Sequence, residues 1–342
     1  MMSKKELLAK VIDRVLPDTL YRYASKMGGR KKHLSVLAYH RVLDFDDSFP
    51  FDIELISASC SQFEEQISYL SKYYNVITLE YLVDCIYADS KLPENAVLIT
   101  FDDGFEDNYR NAFPILKKYG VPATIFISTD FISSDQTLWF DQLSYLVLNV
   151  EQDDLETILS SDFENKIVLT DRRTVLEQVM EYVKNIPDTR RRSLLDSLFE
   201  KYSFAIRDKH KSLSSTLSWE QVREMDQSVV SFGSHTMSHP ILSQLEDTEL
   251  RTELEKSRLI IETELNHPVD CIAYPVGTRA AFNKKVEGLA MQAGYKLGFS
   301  YISGINELPM QQLFDLKRLH VERYTSFPLF KSMLAFPLLM AG

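Results

Sequence analysis

The sequence predicts an α/β fold built on a mainly parallel sheet or barrel, and three observations carry that reading. Short apolar runs recur at residues 34–39, 96–101 and 123–127, as strands buried on both faces require. Between them lie stretches with helical spacing, such as 62–73, where Phe63, Ile67 and Leu70 share one face. The chain has 342 residues, 45% hydrophobic and 25% charged. That suits about two ordinary domains, or one barrel of about 250 residues carrying an insertion. It excludes a disordered chain, a collagen-like chain and a disulfide mini-protein, and no apolar stretch reaches the roughly 18 residues of a membrane span.

The elements follow in order. Residues 5–16 read as an amphipathic helix, with Leu8, Ile12, Val15 and Leu16 on a stripe, Leu7 and Val11 beside it, and Lys4, Lys10 and Arg14 opposite. Gly28-Gly29 and the basic run after it read as a linker, so residues 1–33 form a basic N-terminal segment ahead of a main domain over 34–342. A strand over 34–39 ends at His40. A helix over 62–73, a strand over 75–79 and a helix over 81–87 lead to the strand 96–101, which Asp102-Asp103-Gly104 terminates. Residues 108–119 are helical in two pieces, because Pro114 suits a first helical turn better than an interior, and Gly120 is a natural C-cap. A strand follows at 123–127. From about 137 to 214 the strand signal vanishes, and charged helical periodicity at 155–159, 174–185 and 190–202 marks a helical insertion. The sheet pattern resumes at 229–233, followed by a helix over 246–265 and a strand over 271–275. In the apolar tail, Pro328 and Pro337 limit any long helix.

Charge and cysteine content narrow the partners. The net charge of −11 argues against a general nucleic-acid partner. Residues 1–33 nevertheless carry nine basic and three acidic side chains, leaving −17 on the remainder. Two readings stay open for this segment: a helix packed on the barrel exterior, or peripheral contact with an anionic membrane surface. Cys60, Cys85 and Cys271 are scattered and odd in number, which disfavours a disulfide framework or a cysteine zinc site. The N-terminal stretch lacks the apolar core of a secretory signal, so a cytoplasmic location is expected.

Three strand-end loops carry chemistry. In Thr100-Phe101-Asp102-Asp103-Gly104, adjacent acids at a strand mouth either share a cation or cap the next helix. In Ser234-His235-Thr236-Met237-Ser238-His239-Pro240, histidines four apart on a helical turn either face one way and chelate a metal, with Asp103 as the candidate third ligand, or are two ordinary surface histidines. In Ile272-Ala273-Tyr274-Pro275-Val276-Gly277, a rigid turn directs backbone N–H groups toward a pocket.

In this order the loops resemble the polysaccharide deacetylases, the chitooligosaccharide deacetylase homology family also called carbohydrate esterase family four. The matching stretches are TFDDG at 100–104, PILKKYGVPATIFI at 114–127, SHTMSHP at 234–240 and AYPVG at 273–277. LAYHRV at 37–42 and LSWEQVREM at 217–225 are similar to the bacterial exopolysaccharide and lipopolysaccharide branch. The resemblance covers roughly 34–130 and 215–325.

It implies a distorted, incomplete (β/α) barrel of the polysaccharide deacetylase type, with its site at the C-terminal strand ends. It implies a metal-dependent hydrolase removing N-acetyl groups from an amino-sugar glycan. Asp102 matches the general base, and Asp103, His235 and His239 match the ligands of a divalent metal. Zinc suits that set, although iron, cobalt and nickel fit the same ligands. Tyr274, Pro275 and Val276 match the turn that holds the substrate and, through the Val276 N–H, the oxyanion. The sequence departs from the family where Ala273 stands at the position of an arginine that orients the base. The general acid is either His320, in a loose match to a late Leu-x-His motif, or His40. A catalytically silent glycan-binding relative and a deacylase for another amide or ester are the alternatives.

Overall fold

A computed structural model describes residues 4–16, 21, 32–46, 48–88, 91–163, 166–202, 206 and 208–340. The strands are β1 (His33–Tyr39), β2 (Arg41–Val42), β3 (Ile56–Ala58), β4 (Asn75–Val76), β5 (Ala96–Phe101), β6 (Ala123–Ile127), β7 (Val230–Ser234), β8 (Cys271–Ala273), β9 (Leu297–Ser303), β10 (Asn306–Glu307) and β11 (Leu316–His320). Among the described residues, seven of them (β1, β5, β6, β7, β8, β9 and β11) pair in parallel and close on themselves. β1 makes the closure, with Ala38 opposite Thr100 of β5 on one side and His320 of β11 on the other. The result is the incomplete (β/α) barrel expected, one strand short of the eight of the full form. β4 extends β5, and β10 runs antiparallel beside β1.

Alternation along the strands sorts the core into two layers. Val36, Leu98, Phe126, Cys271, Leu297 and Phe299 share one apolar cluster. Their neighbours Leu37, Ile99, Ile125 and Ile272 pack instead with helix residues such as Phe63, Ile67, Leu254 and Ile261. The first set therefore fills the barrel. Gly233 makes room for it, since a Cβ there would lie 2.5 Å from the Phe126 ring.

Local chemistry explains where observed and expected elements differ. The strand expected over 75–79 shortens to Asn75–Val76, because the Thr78 hydroxyl accepts from the Tyr81 N–H (3.1 Å) and starts the helix Leu79–Tyr87. Residues 108–119 do divide in two, a π-helical turn over Asn108–Ala112 and an α-helix over Phe113–Tyr119 with Pro114 in its first turn. Gly120 closes that helix at φ +62°. Between β6 and β7 stand the helices Trp139–Asn149, Gln152–Ser161, Arg172–Asn185 and Asp188–Tyr202, with a short turn at Asp208–Lys211. They have their own core, including Leu143, Leu155, Phe163, Val179 and Leu198, which also takes in Phe105 from just beyond β5. The first of these helices is buried on nearly all sides, its polar Asp141 and Ser144 included, so sequence polarity does not mark its packed face.

The N-terminal helix is Lys4–Val15. Its stripe is turned relative to the sequence expectation: Ala9 and Ile12 face the protein, whereas Leu7, Leu8, Val11 and Val15 face outward on the same side as Lys4, Lys10 and Arg14. The linker expected at 28–29 lies outside the described residues.

Candidate active site

The end of β5 places two carboxylates back to back. Asp102 donates its N–H to the Tyr39 carbonyl at 3.0 Å, extending the strand pairing by one step. Asp103 (φ +73°) and Gly104 (φ +78°) then turn left-handed, which aims the two side chains apart. Gly104 needs glycine twice over, for its φ and because a Cβ would sit 2.9 Å from Ile127 Cγ2.

The two histidines meet Asp103, but not by helical spacing. The segment 235–239 is an irregular loop with left-handed residues at Thr236 (φ +70°) and His239 (φ +56°). A carboxylate holds it in that shape. Glu253 Oε2 accepts from the N–H groups of Met237 (2.8 Å) and Ser238 (3.1 Å), and its Oε1 accepts from the Ser238 hydroxyl (2.6 Å). These local hydrogen bonds replace the helical ones, so the expected helical turn is corrected to a bound loop. His235 Nε2 and His239 Nε2 lie 3.5 and 3.3 Å from Asp103 Oδ1.

Three observations fit this triad to a divalent cation. Among the described residues, Asp103 Oδ1 is buried with no hydrogen-bond partner. One ligand atom from each of Asp103, His235 and His239 falls within 4.8 Å of the others. The His235 Nδ1–H donates to the Ala273 carbonyl at 2.8 Å, which leaves Nε2 with its lone pair toward Asp103. Burial pushes the His235 imidazole down to about 4, against the pull of Asp102, so the ring is neutral at pH 7 as a ligand must be. For Asp103, burial favours the neutral acid, but the neighbouring His239, His40 and His235 prevail and lower its carboxyl.

Asp102 faces the other way, onto an arginine that sequence reasoning missed. Arg318, on β11, donates from Nη1 to Asp102 Oδ1 and from Nη2 to Oδ2, each at 2.7 Å. Its Nε–H reaches the Ser300 carbonyl at 2.9 Å, and the guanidinium lies over the Tyr301 ring. Burial alone would raise the Asp102 carboxyl. Arg318, helped by His235 and His40, overcomes that and holds it well below the usual carboxylate range. The guanidinium absent at position 273 is therefore supplied from the last barrel strand. A fully buried arginine in a strand demands a buried counter-charge, and that was the available signal.

Of the remaining expected residues, His40, Tyr274 and Val276 line a cleft of about 790 Å³. His40 lines it, with Nε2 4.0 Å from Asp102 Oδ2. Asn108 Nδ2 donates to the His40 carbonyl at 2.8 Å and fixes that loop. His320 is not among the lining residues. It stacks on Tyr301 at 3.7 Å, its buried Nε2 has no partner among the described residues, and burial with the Arg318 charge pushes its imidazole down to about 4. Tyr274 and Val276 line the cleft. Tyr274 Oη donates to the Phe314 carbonyl at 3.0 Å, and Val276 stands at φ +62°, a costly conformation for a β-branched residue. Pro275 precedes it, its carbonyl accepting from Gly277 N–H at 2.6 Å.

The helical insertion supplies the far wall through Trp139, Phe140, Glu177, Met180, Glu181 and Lys184. It also touches the Asp103–His235–His239 cluster. Trp139 Nε1–H donates to the His239 carbonyl at 3.1 Å, and Phe140 packs edge-on to the His239 ring at 5.0 Å. Arg191, paired with Asp188, lies over the other side of the chain of contacts, 5.6 Å from the Trp139 ring.

Comparison with known sequences then fixes the family. A sequence profile described as polysaccharide deacetylase matches residues 89–166 and 187–298, more than half of the chain. The chain belongs to the polysaccharide deacetylase family. This deacetylase-family chain is 24% identical over 238 residues to YxkH of Bacillus subtilis, covering 69% of the chain and 56% of YxkH. It is 35% identical over 130 residues to the poly-β-1,6-N-acetyl-D-glucosamine N-deacetylase of Staphylococcus aureus, covering 35% of the chain and 44% of that protein. The chain thus spans about half the length of these curated relatives. Among solved structures, the Streptococcus pyogenes deacetylase PplD in complex with acetate matches with a TM-score of 0.59 at 21% identity, covering 92% of this chain and all of PplD. IcaB from Ammonifex degensii matches with a TM-score of 0.56 at 20% identity, covering 90% and 98%. These similarities establish a shared fold.

Two substitutions test the site. Trp139→Phe keeps the ring but removes the N–H that holds the His239 carbonyl, and outer partners of this kind are worth about 10–100-fold in metal affinity. Competition with a chelator should show a loss in that range without a comparable loss of thermal stability. Unchanged affinity would mean that the bond does not position His239. Arg318→Met leaves Asp102 buried without its partner, costing about 3–5 kcal/mol of stability at pH 7. Burial then acts unopposed by the guanidinium, so the Asp102 carboxyl rises and the acid limb of activity moves to higher pH. Adding Asp102→Asn should recover most of the lost stability in denaturant titrations.

Proposed function

We propose that this protein is a metal-dependent hydrolase that removes N-acetyl groups from amino sugars of a polysaccharide or surface-glycan precursor. The single observation that carries this reading is the unpartnered Asp103 oxygen facing two imidazole nitrogens, beside a separately held Asp102, at the floor of an open cleft. A divalent cation bound by Asp103, His235 and His239 supplies polarisation of the acyl carbonyl and a lowered water pKa, and zinc suits the three ligands.

The chain's own groups account for the proton movements. Asp102, kept ionised by Arg318, accepts a proton from the attacking water while its oxygen bonds to the acyl carbon. The Val276 N–H donates to the developing oxyanion, since the left-handed turn reorients its peptide. As the C–N bond breaks, His40 gives a proton to the departing nitrogen, and the products are acetate and a free amine. His40 is preferred over His320 because it lines the cleft, whereas a ring neutral down to about pH 4 and stacked on Tyr301 has no proton to give at pH 7. Tyr274 and Val276 line the cleft beside the acyl group, with Pro275 setting the turn between them. The alanine at 273 does not argue for a silent relative, because Arg318 already orients the base.

The cleft's charge narrows the substrate. Asp52, Glu54, Glu177, Glu181 and Glu322 line it with Lys184. A neutral acetamido sugar, or a chain already bearing ammonium groups, suits such walls, and a uronate or phosphate does not. The named activity of the Staphylococcus aureus relative supports the same class.

Metal analysis of protein purified without added metal, with acetate release from acylated amino-sugar chains, tests the reading. Asp103→Ala, His235→Ala and His239→Ala should each lose bound metal, and stoichiometric metal in all three would overturn the ligand set. Asp102→Asn should keep metal and lose about 10²–10⁴-fold in turnover, as expected for a general base. His40→Asn should be impaired similarly and His320→Asn much less. Metal and sugar binding without acetate release would instead favour a glycan-binding role. Among substrates, poly-N-acetylglucosamine should outpace a chain alternating N-acetylglucosamine with glucuronate, and Glu177→Gln/Glu181→Gln should narrow the gap.

A further inference from the structure

Among the described residues, the N-terminal helix Lys4–Val15 is fastened along one side. Ala9 is buried and Ile12 packs into the main core, and the helix runs against the helix Phe327–Ala335. Polar contacts lock the same side: Asp13 pairs with the buried Lys331 and accepts from Tyr21 Oη at 3.1 Å, while Lys331 lies between the rings of Tyr21 and Phe327. The helix therefore has a fixed rotational setting, and what it turns outward is specified rather than incidental.

The outward face is apolar and cationic. Leu7, Val11 and Val15, spaced four apart, are 55%, 51% and 71% exposed, and Leu8 is exposed beside them. Lys4, Lys10 and Arg14 are exposed along this stripe. The two acids of the helix, Glu6 and Asp13, are half-buried; Asp13 turns toward the body, and Glu6 lies 3.8 Å from Lys10. An amphipathic helix of this kind, with residues 1–33 at net +6 on an otherwise acidic protein, complements a surface that is apolar within and negative at its face. We propose that this helix docks the protein on an anionic lipid bilayer, lying in the interface with Leu7, Leu8, Val11 and Val15 inserted and the basic residues at the headgroups. A protein partner would ask for a shaped, mixed-polarity patch; a single stripe of aliphatic side chains edged by cations asks for lipid.

Co-sedimentation of the full chain with phosphatidylcholine vesicles, and with vesicles also containing phosphatidylglycerol, tests the docking without reference to catalysis. The protein should pellet with the anionic vesicles, be released by high salt, and bind neutral vesicles far more weakly. Leu7→Ser/Val11→Ser/Val15→Ser, which changes only exposed side chains, should weaken the partition by about tenfold or more while leaving the melting temperature and monomer mass unchanged. Lys4→Gln/Lys10→Gln/Arg14→Gln should remove the preference for phosphatidylglycerol. Equal partition of the wild-type chain and the serine variant, or no binding to anionic vesicles at low salt, would overturn the proposal. So would a wild-type dimer in sedimentation that the serine variant abolishes, with no lipid binding, since a second copy would then cover the face.

Discussion

Everything at the catalytic end of the barrel is arranged around one buried ion pair. A guanidinium and a carboxylate removed from water each carry a desolvation cost of several kcal/mol, and their attraction offsets it only with good geometry and further hydrogen bonds. Asp102 and Arg318 meet both conditions, through two parallel 2.7 Å bonds and the Ser300 carbonyl. That geometry requires β5, β9 and β11 to hold their positions around β1, so barrel register and the ionisation of Asp102 are one constraint. It also divides the labour of two adjacent acids: Asp102 is committed to the arginine, which leaves Asp103 for the histidines.

A second theme is concentrated backbone strain. Asp103, Thr236, His239 and Val276 are all non-glycine residues at positive φ, and all stand on the three strand-end loops. Each such residue costs of order 1–3 kcal/mol unless its surroundings fix it. Here the fixing groups are visible. Ser234 Oγ accepts from the Thr236 N–H at 3.0 Å, Glu253 binds the middle of the histidine loop, and Trp139 holds the His239 carbonyl. The inserted helices are thus part of the support of the Asp103–His235–His239 cluster as well as the wall of its cleft.

Much of this was legible in the sequence, for identifiable reasons. Strands such as Ala96–Phe101 and Ala123–Ile127 are apolar on both faces because helices cover a parallel barrel, so their limits stood out. The acids, the histidines and the Tyr-Pro-Val-Gly turn were found because each follows a strand. What escaped depended on distance. Arg318 is 216 residues from Asp102, and no spacing rule links them. Glu253 looks like an ordinary helix carboxylate until the loop folds onto it, and Trp139 like one more apolar residue in an apolar helix. The two histidines do approach Asp103 together, but from a bound loop and not a helical turn, since the four-residue spacing is satisfied by either. The N-terminal stripe was seen, but which side of it packs depends on the buried Lys331 it meets.

The closing role of β1 has a consequence for how the chain acquires its structure. β1 pairs with β5 soon after both emerge from a ribosome, but its other edge waits for β11, close to 280 residues after β1 begins. Until then the nascent sheet has an open edge and Asp102 has no countercharge, so the half-built barrel is both sticky and electrostatically uncompensated. Closure through so distant a pairing makes for slow, high-contact-order folding. Asp102 and its arginine come together in the same event that seals the sheet, so the ion pair at this end forms only when the barrel is whole.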